Sequence, residues 1–308
     1  MPAADQKQLL KGYWNGIPQF IEVELTSCSE IQAKIIIPSL PSVDSIEVRG
    51  AILQSKINQA LDVCPEGTRA HLIAHSRGGT DARWVIVQPG MADKVASLTT
   101  IATAHRGTTF MTWAHTLLPV FLLGGKLLKG IEDLKRWIGL RSSEFYYHFL
   151  QGYDCSSEQM KQALYPLTLK GAAEVNAALA EQEHLLRKRP YHTIMYRAYG
   201  GRVARVRLPF LKPSHVIISW FGNSEERRFG NDGATSVWST HYPWEDDSQA
   251  DGMSGYVQTI PFDHYEQVNW NVPDRTSTDS LPTDLQVLYR NILRDILATD
   301  NADGPSIH

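Results

Sequence analysis

A serine hydroxyl attacks a carbonyl only when it is exposed at a fixed angle with a base beside it, and Ser76 lies in a stretch suited to that task. Ala70-His71-Leu72-Ile73-Ala74 is a short apolar run, His75-Ser76-Arg77 follows, and Gly78-Gly79 opens a helix-compatible segment that reaches Trp84. The order reads as strand, sharp turn and helix, with Ser76 at the apex. So tight a turn demands small side chains two residues before and after the serine, and Ala74 and Gly78 supply them as A-x-S-x-G. The chemistry this points to is nucleophilic acyl transfer.

Such a serine needs a base to take its proton and a carboxylate to orient the base. In doubly wound hydrolases these arrive in the order serine, acid, histidine, each in a loop after a strand. Of the histidines after Ser76, His264 follows a late strand-like run, Tyr256 to Ile260, in the loop Pro261-Phe262-Asp263-His264. For the acid, Asp232 lies in the turn sequence Phe229-Gly230-Asn231-Asp232-Gly233. Its rivals Asp246, Asp247 and Asp251 fall in a polar stretch that reads as a solvated loop.

The elements that must carry these residues follow from patterning. Tyr13 to Pro18 reads as a loop entering a short helix, and the β-branched run Ala33 to Ile37, closed by Pro38, reads as a buried strand. Ser45 opens a helix with apolar positions at Ile46, Ala51, Ile52, Ile57, Ala60 and Leu61. Then come the strand before Ser76, a helix to about Val87, and a strand from Val95 to Ala102. That alternation predicts an α/β fold: a doubly wound, mostly parallel sheet covered on both faces. Residues 110–165 lose the alternation and become rich in Leu, Phe, Tyr and Trp, which predicts an inserted helical cap in a single domain spanning 1–308. Beyond it, Gly171 to Arg187 reads as a helix, Thr193 to Tyr199 and His215 to Trp220 as strands, and Leu285 to Leu297 as a closing amphipathic helix. The tail after Asp300 is expected to fray.

Composition narrows the function classes. Thirty basic against 33 acidic residues give a net charge of -3, which carries no electrostatic footprint for nucleic acid. Three cysteines, Cys28, Cys64 and Cys155, are too scattered for a disulfide framework and read as free thiols. No signal-peptide pattern opens the chain, and no apolar run reaches the roughly 18 residues of a membrane span, so the sequence as written is expected in the cytoplasm.

At these residues the chain resembles the triacylglycerol lipase family of the α/β-hydrolases, the branch of bacterial true lipases and fungal lipase-like proteins. Tyr13 to Pro18 resembles the stretch after the family's oxyanion loop, and Ala74-His75-Ser76-Arg77-Gly78-Gly79 its nucleophile motif. Leu98 to Thr108 is similar to its next strand and T-P-H-R-G-T loop, with Ala104 in place of the proline. Asn231-Asp232-Gly233 and Asp263 to Asn269 match the acid and base motifs. The resemblance implies the α/β-hydrolase fold, Ser76 as nucleophile, Asp232 as acid, His264 as base and the Arg77 backbone N–H as an oxyanion donor. It makes His105 a structural loop residue. Implied partners are acyl-ester or lipid substrates, with transient lipid-surface contact through the cap. No redox cofactor is implied; calcium enters only because some bacterial members bind it two residues after the base, where this chain has Glu266.

One family feature has no counterpart. The second oxyanion donor comes from a strand ending in His-Gly, ahead of the Tyr13 to Pro18 equivalent, and no His-Gly dipeptide occurs in this sequence. The missing strand would lie in the sheet between Ala33-Ile37 and Ala70-Ala74, so an N-terminally truncated sequence is expected. Two rivals to a lipase-type serine esterase follow: a thioesterase or acyltransferase using the same triad, and a non-catalytic binding protein on a hydrolase scaffold.

Overall fold

The computed structural model describes residues 13–28, 33–124, 157–188, 194–246, 256–270 and 281–302. Among the described residues four strands make one sheet: β1 (Ala70–His75), β2 (Val95–Ile101), β3 (Met195–Gly201) and β4 (Tyr256–Ile260). They are ordered β1-β2-β3-β4 and every pairing is parallel. Parallel strands need crossovers, and helices supply them. In chain order these are α1 (Ile17–Cys28), α2 (Ile46–Leu61), α3 (Arg77–Ile86), α4 (Thr109–Gly124), α5 (Ser157–Leu164) and α6 (Leu169–Arg187). After β3 come α7 (Lys212–Phe221), α8 (Ser224–Phe229) and α9 (Val237–Thr240), and after β4 comes α10 (Thr283–Ala302).

Two separate apolar clusters cover the two faces, as the expected doubly wound α/β fold requires. On one face Leu53 and Ile57 of α2 and Val85 and Ile86 of α3 pack with Leu98, Tyr196, Tyr242 and Trp244. On the other, Ile17 and Ile21 of α1 and Leu285, Leu288, Tyr289, Ile292, Leu293 and Ile296 of α10 pack with Ile101, Tyr199 and Ile260. All seven residues of β2 are buried, which accounts for its uncharged run of apolar residues, Ser97 and two threonines. Among the described residues β1 pairs only with β2, and most of its side chains stay half-buried.

Local chemistry sets several ends. The Ser45 hydroxyl caps α2 by accepting from Val48 N, and Thr168 does the same for α6 through Gly171 N. In α2 the inward residues are Ile46, Gly50, Leu53 and Ile57, so the register differs slightly from the expected one: Leu53 turns in and Ala51 out. Gly50 is inward because Trp84 of α3 lies against it, where a Cβ would overlap the indole.

Two expected strands do not form. Among the described residues Ala33 to Ile37 forms no ladder, and Ile35, Ile36 and Ile37 are 38, 43 and 39% exposed. β-branched composition favours extended backbone, but a strand exists only where a neighbour pairs with it. His215 to Trp220 belongs to helix α7 instead. Pro213 starts that helix, Gly222 ends it, and Ser214 and Ile218, four apart, turn to the core. The Val216-Ile217-Ile218 run favoured a strand locally, and helical spacing prevailed. Of the expected cap, α4 packs against α5 and α7; residues 125–156 lie outside the described residues, as do Cys155, Asp247, Asp251 and the tail after Ala302.

Candidate active site

Because all four strands are parallel, their C-terminal ends share one edge of the sheet, and the three sequence-predicted residues meet there. Ser76 follows β1 directly and is the residue before α3, with φ 53° and ψ -129°. A non-glycine residue adopts that backbone only where its surroundings impose it. Here Ser76 N donates to Ile101 O of β2 at 2.9 Å, which extends the ladder into the turn. The chain must then reverse at once into α3.

His264 lies in the turn after β4, and its Nε2 is 3.0 Å from Ser76 Oγ. Its Nδ1 is 2.9 Å from Asp232 Oδ2. A carboxylate oxygen only accepts, so Nδ1 carries the proton and Nε2 is left to accept from the serine hydroxyl. Asp232 is fully buried and each hydrogen bond to its carboxylate comes from a donor: Ala234 N and Thr235 N reach Oδ1 at 2.9 and 2.7 Å, while His264 Nδ1 and Gln267 Nε2 reach Oδ2. The backbones are joined as well, with His264 N donating to Asp232 O at 2.9 Å. Of the rival acids, Asp246 belongs to a short 3-10 turn at Pro243–Asp246.

Arg77 is the first residue of α3, so its N–H has no acceptor within the helix and faces the side where an anion is favoured. Its side chain is committed elsewhere. Arg77 donates to the carbonyls of Ser42 and Asp44, and Arg49 donates to Pro41 O and to Asp81, which together hold the 41–44 loop beside the turn. Burial and the neighbouring Arg49 bring the Arg77 guanidinium down to about 10.

Three supporting residues were not assigned roles from the sequence. His75 is buried with its ring 4.7 Å from that of His264, and its Nε2–H donates to His264 O at 2.8 Å. Tyr13 OH donates to His75 Nδ1 at 2.6 Å. Burial, reinforced by His264, holds His75 well below the usual imidazole range, so it is neutral; burial likewise pushes the Tyr13 hydroxyl well above its usual range. Both protonation states match the bonds. The third is Gln267 on Asp232. The sequence offered only adjacency to Ser76 for His75, and for Tyr13 and Gln267 only their places in the segments that resemble the lipase family.

His105, in the loop after β2, is 1% exposed and far from solvent. It stacks on Tyr242 with centroids 4.4 Å apart and meets Thr100 and Arg83, a packing role. Arg83 pairs with Glu183 at 2.8 Å, tying α3 to α6.

Glu266 is engaged by two partners: Arg207 Nη1 at 3.4 Å and Asp263 N at 2.9 Å. Asp263 accepts from Arg207 N, Tyr265 N and Glu266 N, which folds the loop onto itself. Among the described residues there is no group of three or more His, Cys, Asp or Glu that could hold a metal ion. Nor is any described helix long and apolar enough to cross a membrane.

Comparison with known proteins points the same way as the fold. No family model matches the chain. It is 33% identical to triacylglycerol lipase 2 of Saccharomyces cerevisiae over 100 residues, 31% of this chain and 28% of that protein. It is 22% identical to a lipase of Staphylococcus epidermidis over 275 residues, 76% of this chain and 40% of that protein. The chain thus matches less than half the length of either relative. Among solved structures, lipase 1 from Pelosinus fermentans superposes with a TM-score of 0.50 at 17% identity, covering 92% of this chain and 94% of that one. EstA from Clostridium botulinum gives 0.50 at 17% identity, covering 84% and 79%.

Proposed function

The chain is a lipase-like α/β-hydrolase, and on that premise we propose that it is a serine carboxylic-ester hydrolase. Its substrates are acyl esters, triacylglycerol or a related lipid. The observation that carries this is the continuous contact from Ser76 Oγ to His264 Nε2, and from His264 Nδ1 to Asp232 Oδ2, at 3.0 and 2.9 Å.

In this reading His264 takes the Ser76 proton as Oγ attacks the ester carbonyl, and Asp232 stabilises the imidazolium that forms. The Arg77 N–H donates to the oxyanion. The imidazolium then protonates the leaving alcohol, and water, deprotonated by the same imidazole, releases the acid from the acyl-serine. A lipid partner suits the exposed side chains of α4 and α7: Trp113 and Phe221 lie 5.1 Å apart, and Trp220 is 75% exposed.

The test is p-nitrophenyl ester hydrolysis together with fluorophosphonate labelling. Both activities are expected in the wild type and absent in Ser76→Ala; an equally active alanine variant refutes the assignment. A second reading is a hydrolase-fold binding protein, which would lack an oxyanion donor beside the Arg77 N–H. Loss of one such donor typically costs about a hundredfold to a thousandfold in turnover. Folded wild-type protein that fails to label at Ser76 selects that second reading. A thioesterase or acyltransferase with the same triad is separated by profiling acyl thioesters and alcohol acceptors.

A further inference from the structure

Gln267 is fully buried three residues past His264, and its Nε2 lies 3.0 Å from Asp232 Oδ2, the oxygen that also accepts from His264 Nδ1. A carboxylate cannot donate, so the amide nitrogen must face it. The amide oxygen is then turned away, buried and without a hydrogen-bond partner. An orphaned buried carbonyl is destabilising, so a side chain retained for packing alone would be apolar at this position.

The surrounding backbone makes room for the contact. At Gly201, the last residue of β3, a Cβ would overlap Gln267 Nε2 and come within 2.5 Å of Phe262 O and 2.6 Å of Asp232 Cβ. The main chain of Gln267 is fixed from the opposite side, its carbonyl accepting from Tyr289 OH of α10 at 2.8 Å. From these contacts we propose that Gln267 is a positioning residue for Asp232, fixing which oxygen meets His264 and sharing the charge on it. The inference rests on the triad roles proposed above.

Without the amide donor, Oδ2 would keep only the imidazole as partner. Its charge would then be less dispersed and would hold the imidazolium more tightly. Two variants of the full chain test this. Gln267→Met keeps the length and removes both the donor and the orphaned oxygen; Gln267→Glu can still donate to Asp232 while its own carboxyl is neutral.

Gln267→Met is expected to lose about tenfold to a hundredfold in kcat/KM on a short-chain p-nitrophenyl ester, mainly in kcat. The rising limb of its pH profile should also move to higher pH. Gln267→Glu should show an added ionisation, losing rate as the new carboxyl deprotonates. Wild-type kcat/KM with an unmoved limb in Gln267→Met overturns the proposal. If that variant does not fold, a Gln267→Glu profile without the added ionisation overturns it. If the wild type does not hydrolyse esters, NMR titration of the His264 imidazole in both proteins reads the coupling without turnover. Identical titrations then refute the role of Gln267, whereas shifted titrations uphold it and leave only the proposed function at fault.

Discussion

His75 donates its Nε2–H to the carbonyl oxygen of His264 at 2.8 Å, so the residue before Ser76 grips the backbone of the residue whose imidazole meets the Ser76 hydroxyl. Tyr13 completes the chain by donating to the other ring nitrogen. His75→Phe keeps a ring of similar shape and removes both bonds. It is expected to slow labelling of Ser76 by a fluorophosphonate about tenfold, roughly the value of one buried hydrogen bond. Tyr13→Phe should do less, because its bond reaches His264 only through His75. Time courses of labelling on folded protein check both.

Acid should weaken the fold through the same ring. His75 and His105 are each held neutral, His75 by burial and then His264, His105 by burial and then Arg83. In the unfolded chain each titrates near about 6.5. Their folded values are lower, so the unfolded state binds more protons as pH falls. Their share of stability is complete above about 6.5 and declines as pH drops below it, towards the depressed folded values. Denaturant midpoints across pH 5–8, about the range in which unperturbed imidazoles change charge, should fall on the acid side. A His105→Gln variant should fall less steeply.

The two glycines after Ser76 should respond oppositely to alanine. At Gly78 a Cβ would meet Ala74 Cβ at 3.9 Å, an ordinary contact, so Gly78→Ala is expected to be neutral or stabilising by up to about 1 kcal/mol. At Gly79 a Cβ would overlap Thr103 Oγ1 and come within 2.8 Å of Thr100 Cγ2, both on buried threonines. Gly79→Ala is expected to cost about 1–3 kcal/mol through overpacking. Thermal or denaturant unfolding separates the two, and equal effects would contradict the geometry.

Removing one member of the Arg83–Glu183 pair should be severe. The two side chains are 1 and 5% exposed, and Arg83 also bonds Asn176 at 3.0 Å. Arg83→Met would leave a buried carboxylate unpaired, a loss of about 3–5 kcal/mol. The double variant Arg83→Met with Glu183→Leu should recover much of that loss. Denaturant unfolding of the three proteins measures the recovery.

The steric demand at the serine turn illustrates the limit of motif reading. The A-x-S-x-G pattern identified Ser76, yet the crowding it was thought to reflect falls at Gly79, where α3 approaches β2, and not at Gly78. A motif records residue types along the chain; the crowding depends on which element lies across from them.

By itself the sequence determined the elements whose patterns are local. The β2 run, the Ser45 cap, the exact span of β4 and the inward stripe of α10 are periodicities and caps written in neighbouring residues. It also named Ser76, Asp232 and His264, because their chain order and positions after strands constrain the choice. Tertiary structure decided the rest. Ala33 to Ile37 has strand composition but pairs with no strand among the described residues, and His215 to Trp220 follows the packing of Ser214 and Ile218 rather than its β-branched run. The parts of Tyr13, His75, Gln267 and Gly201 are hydrogen bonds or close approaches that span as many as 189 residues of chain or join adjoining loops. Such contacts exist only once parallel strands bring their C-terminal ends to one edge, so no local pattern can record them.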